Sequence, residues 1–145
     1  MKDIFVDNCV AKNFANPLDP EYKALIQWLF DEGFLAVSNK LLGEFGRTSG
    51  SCAVGTNIWL IVSHLQTRGR LRHFSNSQLA GFAIPKRVAR KLQSNPADHV
   101  HIKTVLLSHR KFALTLDAKL YRDINWYPGH KALAANRPQH IPYRG

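Results

Sequence analysis

The chain of 145 residues is long enough for one domain with a hydrophobic core, since 45% of its residues are apolar. It shows neither a run of about 18 apolar residues nor the charged, apolar and small-residue order of a signal peptide, so no membrane span and no secretion are predicted. Two cysteines, Cys9 and Cys52, are too few for a disulfide scaffold or a cysteine zinc site. We therefore expect a soluble, cytoplasmic protein in a reducing compartment.

Charge is the strongest compositional signal. The chain has 20 Lys and Arg against 10 Asp and Glu, a formal net charge of +10. Between Gly33 and Ala97 the only acidic residue is Glu44. Such a chain is expected to bind a polyanion, and the alternative is that the charge serves solubility alone. The candidate nucleic-acid-binding residues are Arg68, Arg70, Arg72, Lys86, Arg87, Arg90 and Lys91.

The first predicted element is a short buried strand at 4–6. Ile4, Phe5 and Val6 are of the β-branched and aromatic types that fit a covered sheet. Asp7 follows directly, and a carboxylate buried there is costly. It therefore lies at the exposed end of the strand, accepts local hydrogen bonds, or is held with other acids for a purpose.

Helix start signals define the elements that follow. Asp19 as N-cap with Pro20 at the first helical position begins a helix, and Asn95 with Pro96 repeats this signal. Ser38 can cap a further helix. In chain order, the predicted elements after the first strand are a helix at 20–33, a strand at 34–38, a helix at 39–48, a turn at 49–56, a helix at 57–69, a short basic helix at 85–94, a helix at 97–109, a strand at 111–117 and a helix at 118–126.

Two segments show little periodicity. Residues 68–85 are expected to form a mobile loop, and the proline-containing tail from residue 127 an arm that packs or frays. We thus expect a single domain over 1–145, with its core in about 1–126 and a C-terminal arm at 127–145.

Short apolar strands that alternate with amphipathic helices predict an α/β fold with a mostly parallel central sheet, because parallel neighbours need crossover connections. Ligands of such sheets gather at the carboxyl ends of the strands. Asp7 and Asp117 each end a predicted strand, so we expect both at that edge.

Three further acids are placed to join them. Glu44 lies in the helix after the second strand, Asp98 in the first turn of the helix before the third, and Asp123 reaches the same rim if 118–126 is helical. Each also has an ordinary interpretation: an exposed helix charge for Glu44, a charge favoured by the helix dipole for Asp98, an N-cap for Asp117 and a surface acid for Asp123.

Carboxylates in one pocket repel one another unless protons or cations neutralise them. Mg²⁺ and Mn²⁺ prefer oxygen ligands, and such ions can hold a phosphate and lower the pKa of a water. An acidic pocket in a basic protein is coherent on these terms, because the surface attracts a phosphate chain and the metal ions cancel the repulsion among the acids.

These motifs resemble those of the PIN-domain family, which includes the ribonuclease toxins of bacterial toxin–antitoxin pairs. The stretch IFVDNCV resembles the family's opening strand and first Asp, and FLAVSNKLLGEFGR resembles its second strand and the helix that carries its Glu. DHVHIKTVLLSHRKFALTLDAKLY resembles the helix with the third acid, the next strand and the T-x-D acid. The resemblance covers residues 1 to about 126.

The resemblance implies a three-layer α/β/α domain and metal-dependent hydrolysis of RNA with 5′-phosphate and 3′-hydroxyl ends. Asp7, Glu44, Asp98 and Asp117 match the catalytic acids and would bind Mg²⁺ or Mn²⁺, with Asp123 as a fifth metal ligand. Thr115 matches a polar position beside the last acid. The resemblance also makes a homodimer, and an antitoxin segment laid over the groove, expected partners.

Some residues depart from the family pattern. Cys9 replaces a small polar residue, and His101 and Lys103 lie where the helix is commonly alanine-rich. They favour an alternative function, a non-catalytic PIN-like module that binds nucleic acid or a protein. His99 and His101 point to opposite sides of a helix and predict no zinc site. Trp126 is the tryptophan best suited to stack on a base, with a core or flank role as its alternative.

Overall fold

The structure, a computed structural model, describes residues 1–15, 18–51 and 57–145. The described residues form five strands and eight α-helices, with 3-10 turns at Lys12–Ala15, Pro96–Asp98 and Pro138–His140. In chain order the elements are β1 (Asp3–Val6), α1 (Asn8–Ala11), α2 (Pro20–Asp31), β2 (Phe34–Ser38), α3 (Asn39–Ser51), α4 (Asn57–Thr67), β3 (Leu71–Phe74), α5 (Asn76–Ala80), α6 (Lys86–Ala89), α7 (His99–Leu107), β4 (Phe112–Leu114), α8 (Ala118–Trp126) and β5 (Leu133–Ala135).

The strands form one sheet in the order β3-β2-β1-β4-β5, and all of its pairings are parallel. Central β1 is buried along its whole length, as its apolar residues predicted. Helices flank the sheet, so the predicted α/β fold with three layers and a parallel sheet is confirmed. Because the strands are parallel, their carboxyl ends meet at one edge.

The predicted helix start signals are confirmed at the level of single hydrogen bonds. The side chain of Asp19 accepts from the Glu21 amide at 2.9 Å. Ser38 Oγ accepts from the Leu41 amide, and the side chain of Asn95 accepts from the Ala97 amide. A side-chain acceptor at each site satisfies an amide that has no partner in the first helical turn.

The prediction of a loop at 68–85 is wrong, because this segment contains β3 and α5. β3 lies at the edge of the sheet, where Arg72 and His73 are exposed and only Phe74 is buried. An edge strand needs no continuous apolar run, so it lacks the signal that marked the central strands. α5 begins with a capping box between Ser75 and Gln78.

Of the two expectations for the C-terminal tail, that it packs or that it frays, the structure shows packing, and part of the tail joins the sheet as a strand that the sequence did not predict. β5 pairs with β4, and Ala134 lies opposite Ala113. Ile141 and Tyr143 are buried, and the Tyr143 ring packs edge-on against Trp28 at 5.0 Å between centroids. β5 has only three residues, Leu133–Ala135, and so short a segment shows too little periodicity to predict a strand from sequence.

Other boundaries differ in smaller ways. The short basic helix predicted at 85–94 ends after one turn, and the strand predicted at 111–117 covers only Phe112–Leu114. Of the turn predicted at 49–56, residues 49–51 continue α3, while 52–56, including Cys52, lie outside the described residues. None of the described helices combines the length and the apolar composition that a membrane crossing requires.

Candidate metal centre

A cleft of about 400 Å³ lies at the carboxyl edge of the sheet and brings together four of the five predicted acids. Asp7 follows β1 and Asp117 follows β4. Glu44 extends from α3, and Asp98 closes the 3-10 turn before α7. The acids come from four segments far apart in sequence, and the parallel sheet places those segments side by side.

Asp7 is buried at the base of this cleft and is fixed by hydrogen bonds. Its Oδ1 accepts from the Asn8 amide at 2.8 Å, so Asp7 is also the N-cap of α1. Its Oδ2 accepts from the Thr115 hydroxyl at 2.7 Å. The same Thr115 oxygen accepts from the Asp117 amide at 3.1 Å. Thr115 therefore links the first acid to the loop that carries the last one.

Cys9 supports Asp7 rather than acting as a nucleophile. Its thiol donates to Asp7 Oδ2 at 3.3 Å, and its sulfur accepts from the Leu116 amide at the same distance. Burial and the nearby Asp7 charge raise the pKa of the Cys9 thiol. A protonated thiol is a donor and a weak nucleophile. Cys9 thus fills the position of the expected polar residue with a group that still donates to the carboxylate.

Glu44 is held by His101, a contact that the sequence did not predict. His101 Nε2 lies 3.0 Å from Glu44 Oε2, and the imidazole is buried against Phe5. Burial alone would raise the pKa of Glu44, but the His101 hydrogen bond and the charges of His101, Lys40 and Arg47 lower it below its ordinary value. Glu44 is therefore ionised and oriented at neutral pH.

Asp7, Glu44 and His101 form a group that could bind a metal ion. One ligand atom from each lies within 4.8 Å of the others. Two carboxylate oxygens and a deprotonated imidazole nitrogen are a donor set that fits a divalent cation, whereas the protonated nitrogen donates to Glu44 instead. Asp98 and Asp117 line the same cleft outside this group and add carboxylates at its rim.

Asp98 and Asp117 also have structural roles. Asp117 Oδ1 accepts from the Lys119 and Leu120 amides, so this acid is the N-cap of α8. Lys40 Nζ lies 3.9 Å from Asp98 Oδ1, and both side chains are about one-third exposed. A cap hydrogen bond uses one oxygen of a carboxylate, so the ordinary interpretation of Asp117 and its place in the cleft are compatible.

Asp123 does not reach the cleft, which corrects the prediction of a fifth metal ligand. Its side chain is fully buried and accepts from the Gln93 and Ser94 amides and from Ser94 Oγ at 2.6 Å. Arg122 Nη1 contacts Asp123 Oδ1 at 3.0 Å. The helical turn after Asp117 directs this carboxylate towards the segment that follows α6, where it fixes the backbone.

The predicted basic residues do not behave alike. Arg70 is corrected to a structural role, because its guanidinium donates to the carbonyls of Leu29, Phe30 and Gly33 at 2.7–2.8 Å. These carbonyls lie at the C-terminal end of α2, where helix acceptors lack intrahelical donors. The exposed members of the set are Arg68, Arg72, Lys86, Arg87, Arg90 and Lys91.

His101 is the residue of the cleft that sequence reasoning missed. It lies three positions after Asp98, a spacing that places both on one side of a helix. That spacing was the available signal, but the identity of its partner depends on how α3 and α7 pack against the sheet.

The chain matches no family model, no curated protein and no solved structure.

Proposed function

We propose that this chain is a Mg²⁺- or Mn²⁺-dependent endoribonuclease with a PIN-like site. The observation that supports it most is the single cleft lined by Asp7, Glu44, Asp98 and Asp117 at the carboxyl edge of a parallel sheet. The net charge of +10 supports a polyanionic substrate, because it attracts a phosphate backbone from a distance. An acidic pocket in a basic protein fits a site where cations lie between two sets of negative charges.

The residues of the cleft divide into those that would hold the ion and those that hold them in place. Asp7 and Glu44 supply oriented oxygens, while Thr115 and His101 fix the two carboxylates by hydrogen bonds. When bound, a divalent ion supplies charge for the phosphate and activates a water. Lys12, an exposed cation at the same cleft, lies where it can contact the substrate backbone.

Cleavage of labelled single-stranded RNA tests this proposal directly. Wild-type protein and Asp7→Asn would each be assayed with Mg²⁺, Mn²⁺ or EDTA. We expect metal-dependent products with 5′-phosphate ends from wild type and a rate lower by at least about 100-fold in the variant, because an oriented charge is removed from the reacting centre.

Asp31→Asn is the matched control, since it makes the same change at an exposed acid of α2 that accepts a hydrogen bond from Gln27 and is not among the described residues that line the cleft. Equal cleavage by Asp7→Asn and wild type would overturn the proposal. RNA binding without products from any of the proteins would favour the non-catalytic module, to which the altered residues Cys9 and His101 also point. A toxin role adds a short acidic or amphipathic antitoxin segment over the cleft as the partner to seek.

A further inference from the structure

A second cavity, of about 250 Å³, lies at the far end of α8 from the acidic cleft. It is lined by Trp126 and Pro128 on one side and by Arg87, Val88 and Lys91 on the other. We propose that this cavity binds an unpaired nucleotide of single-stranded RNA, with the base against Trp126 and the phosphates beside Arg87 and Lys91. This inference rests on the proposed function, because it names the form of RNA that the acidic cleft receives.

The Trp126 ring is held in place by Arg122. The Arg122 guanidinium lies 4.7 Å from the centre of the indole ring. Arg122 Nη1 in turn donates to the Lys91 carbonyl at 2.8 Å and to Asp123. Among the described residues, Arg122 does not line the cavity. The indole therefore presents to the cavity a surface that Arg122 does not cover. Because Arg122 already orders the ring, binding needs little reordering of it.

The cavity carries charge of the sign that nucleic acid requires. Arg87 and Lys91 are exposed and have no carboxylate partner among the described ion pairs. Arg122, which contacts the Lys91 carbonyl on one side of the cavity and the Trp126 ring on the other, is also a cation. An aromatic ring beside cations is the arrangement by which single-stranded binders stack a base and neutralise its backbone.

α8 connects this cavity to the acidic cleft. The helix begins after Asp117, and Ala118, Arg122 and Trp126 follow one another at intervals of four along one stripe. Nine residues at about 1.5 Å each place Trp126 about 14 Å from Asp117 along the axis. Stacked nucleotides rise about 3.4 Å each, so at least about four are needed to cover this axial distance.

The occupant is single-stranded because a paired base cannot present its face to the indole. In a duplex both faces of each internal base are stacked, and recognition proceeds through the backbone and the groove edges. The indole ring can stack only on a base whose face is free, and the cations beside it then contact the phosphates of that nucleotide. Loops, ends and extended single strands of RNA therefore fit the cavity, whereas a continuous helix contacts the cations alone.

Binding of a labelled single-stranded RNA of about 16 nucleotides, measured by fluorescence anisotropy in EDTA, tests the inference without any cleavage. We expect Trp126→Leu to weaken binding by about fivefold or more, since loss of one base stack has at least that effect. Trp126→Phe keeps an aromatic face and is expected to retain most of the affinity. The double variant Arg87→Gln/Lys91→Gln should lower the slope of log K against log salt by about 1.4, because each phosphate contact contributes about 0.7.

Trp59→Leu is the matched control for the loss of an exposed tryptophan. Trp59 lines a different cavity, whose described lining includes no Lys or Arg, and its substitution should leave binding unchanged. Unaltered affinity in Trp126→Leu, or equal competition by a duplex of the same sequence, would overturn the inference. The two proposals fail separately. If the variants bind RNA as expected but wild type does not cleave it, only the nuclease proposal is refuted. If wild type cleaves RNA with metal but Trp126→Leu binds it as wild type does, only the proposed role of the cavity is refuted.

Discussion

Asp7 and Asp123 are the same residue type, both buried, yet their surroundings give them different roles. Asp7 accepts three hydrogen bonds but still faces a cleft that holds other acids. Asp123 is enclosed by four donors and has no exposed surface. A carboxylate whose bonds are all internal stabilises the fold, whereas one that shares a cleft with like charges is available to a cation.

The Asp123 site predicts a pH-dependent loss of stability in Asp123→Asn. Burial would raise the pKa of Asp123, but the bonds from Ser94, Gln93 and Arg122 outweigh it and lower the pKa below its ordinary value. The stabilisation is therefore complete above the ordinary pKa of about 3.9 and is lost as the pH falls through the lower folded-state value. We expect the variant to be about 3 kcal/mol less stable at neutral pH, as measured by urea unfolding.

Because wild type and variant share every other titrating group, their difference isolates Asp123. That difference should shrink when both proteins are unfolded at a pH below about 3.9. A difference in unfolding free energy that stays constant down to that pH would contradict the assigned role. Asp31→Asn, at an exposed acid, should show no comparable effect at either pH.

At the scale of elements, the edges of the sheet depend on contacts that no local pattern reveals. β3 is preceded by Arg70, whose side chain spans to the end of α2, and the Arg70 carbonyl accepts from the Leu35 amide of β2 at 3.2 Å. At the opposite edge, Asn125 of α8 donates to and accepts from Ala134 of β5. Each edge strand is thus held to the molecule by a side chain from outside the strand.

Arg70→Lys is expected to reduce stability without reducing RNA binding. Lysine keeps the charge but lacks the planar guanidinium that contacts the carbonyls of Leu29, Phe30 and Gly33 together. Loss of these charge-assisted bonds should cost about 2 kcal/mol in thermal or urea unfolding. Arg68→Lys, in the exposed turn beside it, is the control and should be neutral. If Arg70→Lys instead bound RNA more weakly at unchanged stability, the structural role would be wrong.

At the scale of the whole molecule, a strongly basic chain contains a small cleft lined by four acids. The four carboxylates of the cleft repel one another, and His101 and Lys40 offset part of that repulsion. Asn at position 7 can still cap α1, because its amide oxygen accepts as a carboxylate does. Removing the Asp7 charge should therefore relieve repulsion and keep the cap, while the hydrogen bonds from Thr115 and Cys9 to Oδ2 are lost.

This balance predicts how metal changes the unfolding temperature. Mn²⁺ should stabilise wild type by about 2.7 kcal/mol at 100 times its Kd and Asp7→Asn much less, whichever of the two proteins is the more stable in EDTA. Thermal unfolding with and without Mn²⁺ measures both effects, and Asp31→Asn should follow wild type. Equal stabilisation of Asp7→Asn and wild type would place the ion elsewhere than the cleft.

The sequence by itself determined the central strands, the helix starts and the acids that end the strands. β1 and β2 each contain a continuous apolar run, and caps such as Asp19 and Asn95 act within a few residues of themselves. These signals are local, because burial on both faces and capping each need only neighbouring residues. The order of strands then placed Asp7 and Asp117 at one edge by a general property of parallel sheets.

Only the tertiary structure decided the edge strands, the partner of each buried charge and the separate roles of the basic residues. Whether Asp123 faces the cleft or Ser94, whether Arg70 faces solvent or α2, and whether His101 contacts Glu44 all depend on residues 29 to 57 positions away along the chain. The physical reason is that hydrogen bonds and ion pairs act over a few ångströms in space, and only packing determines which distant segments come within that range.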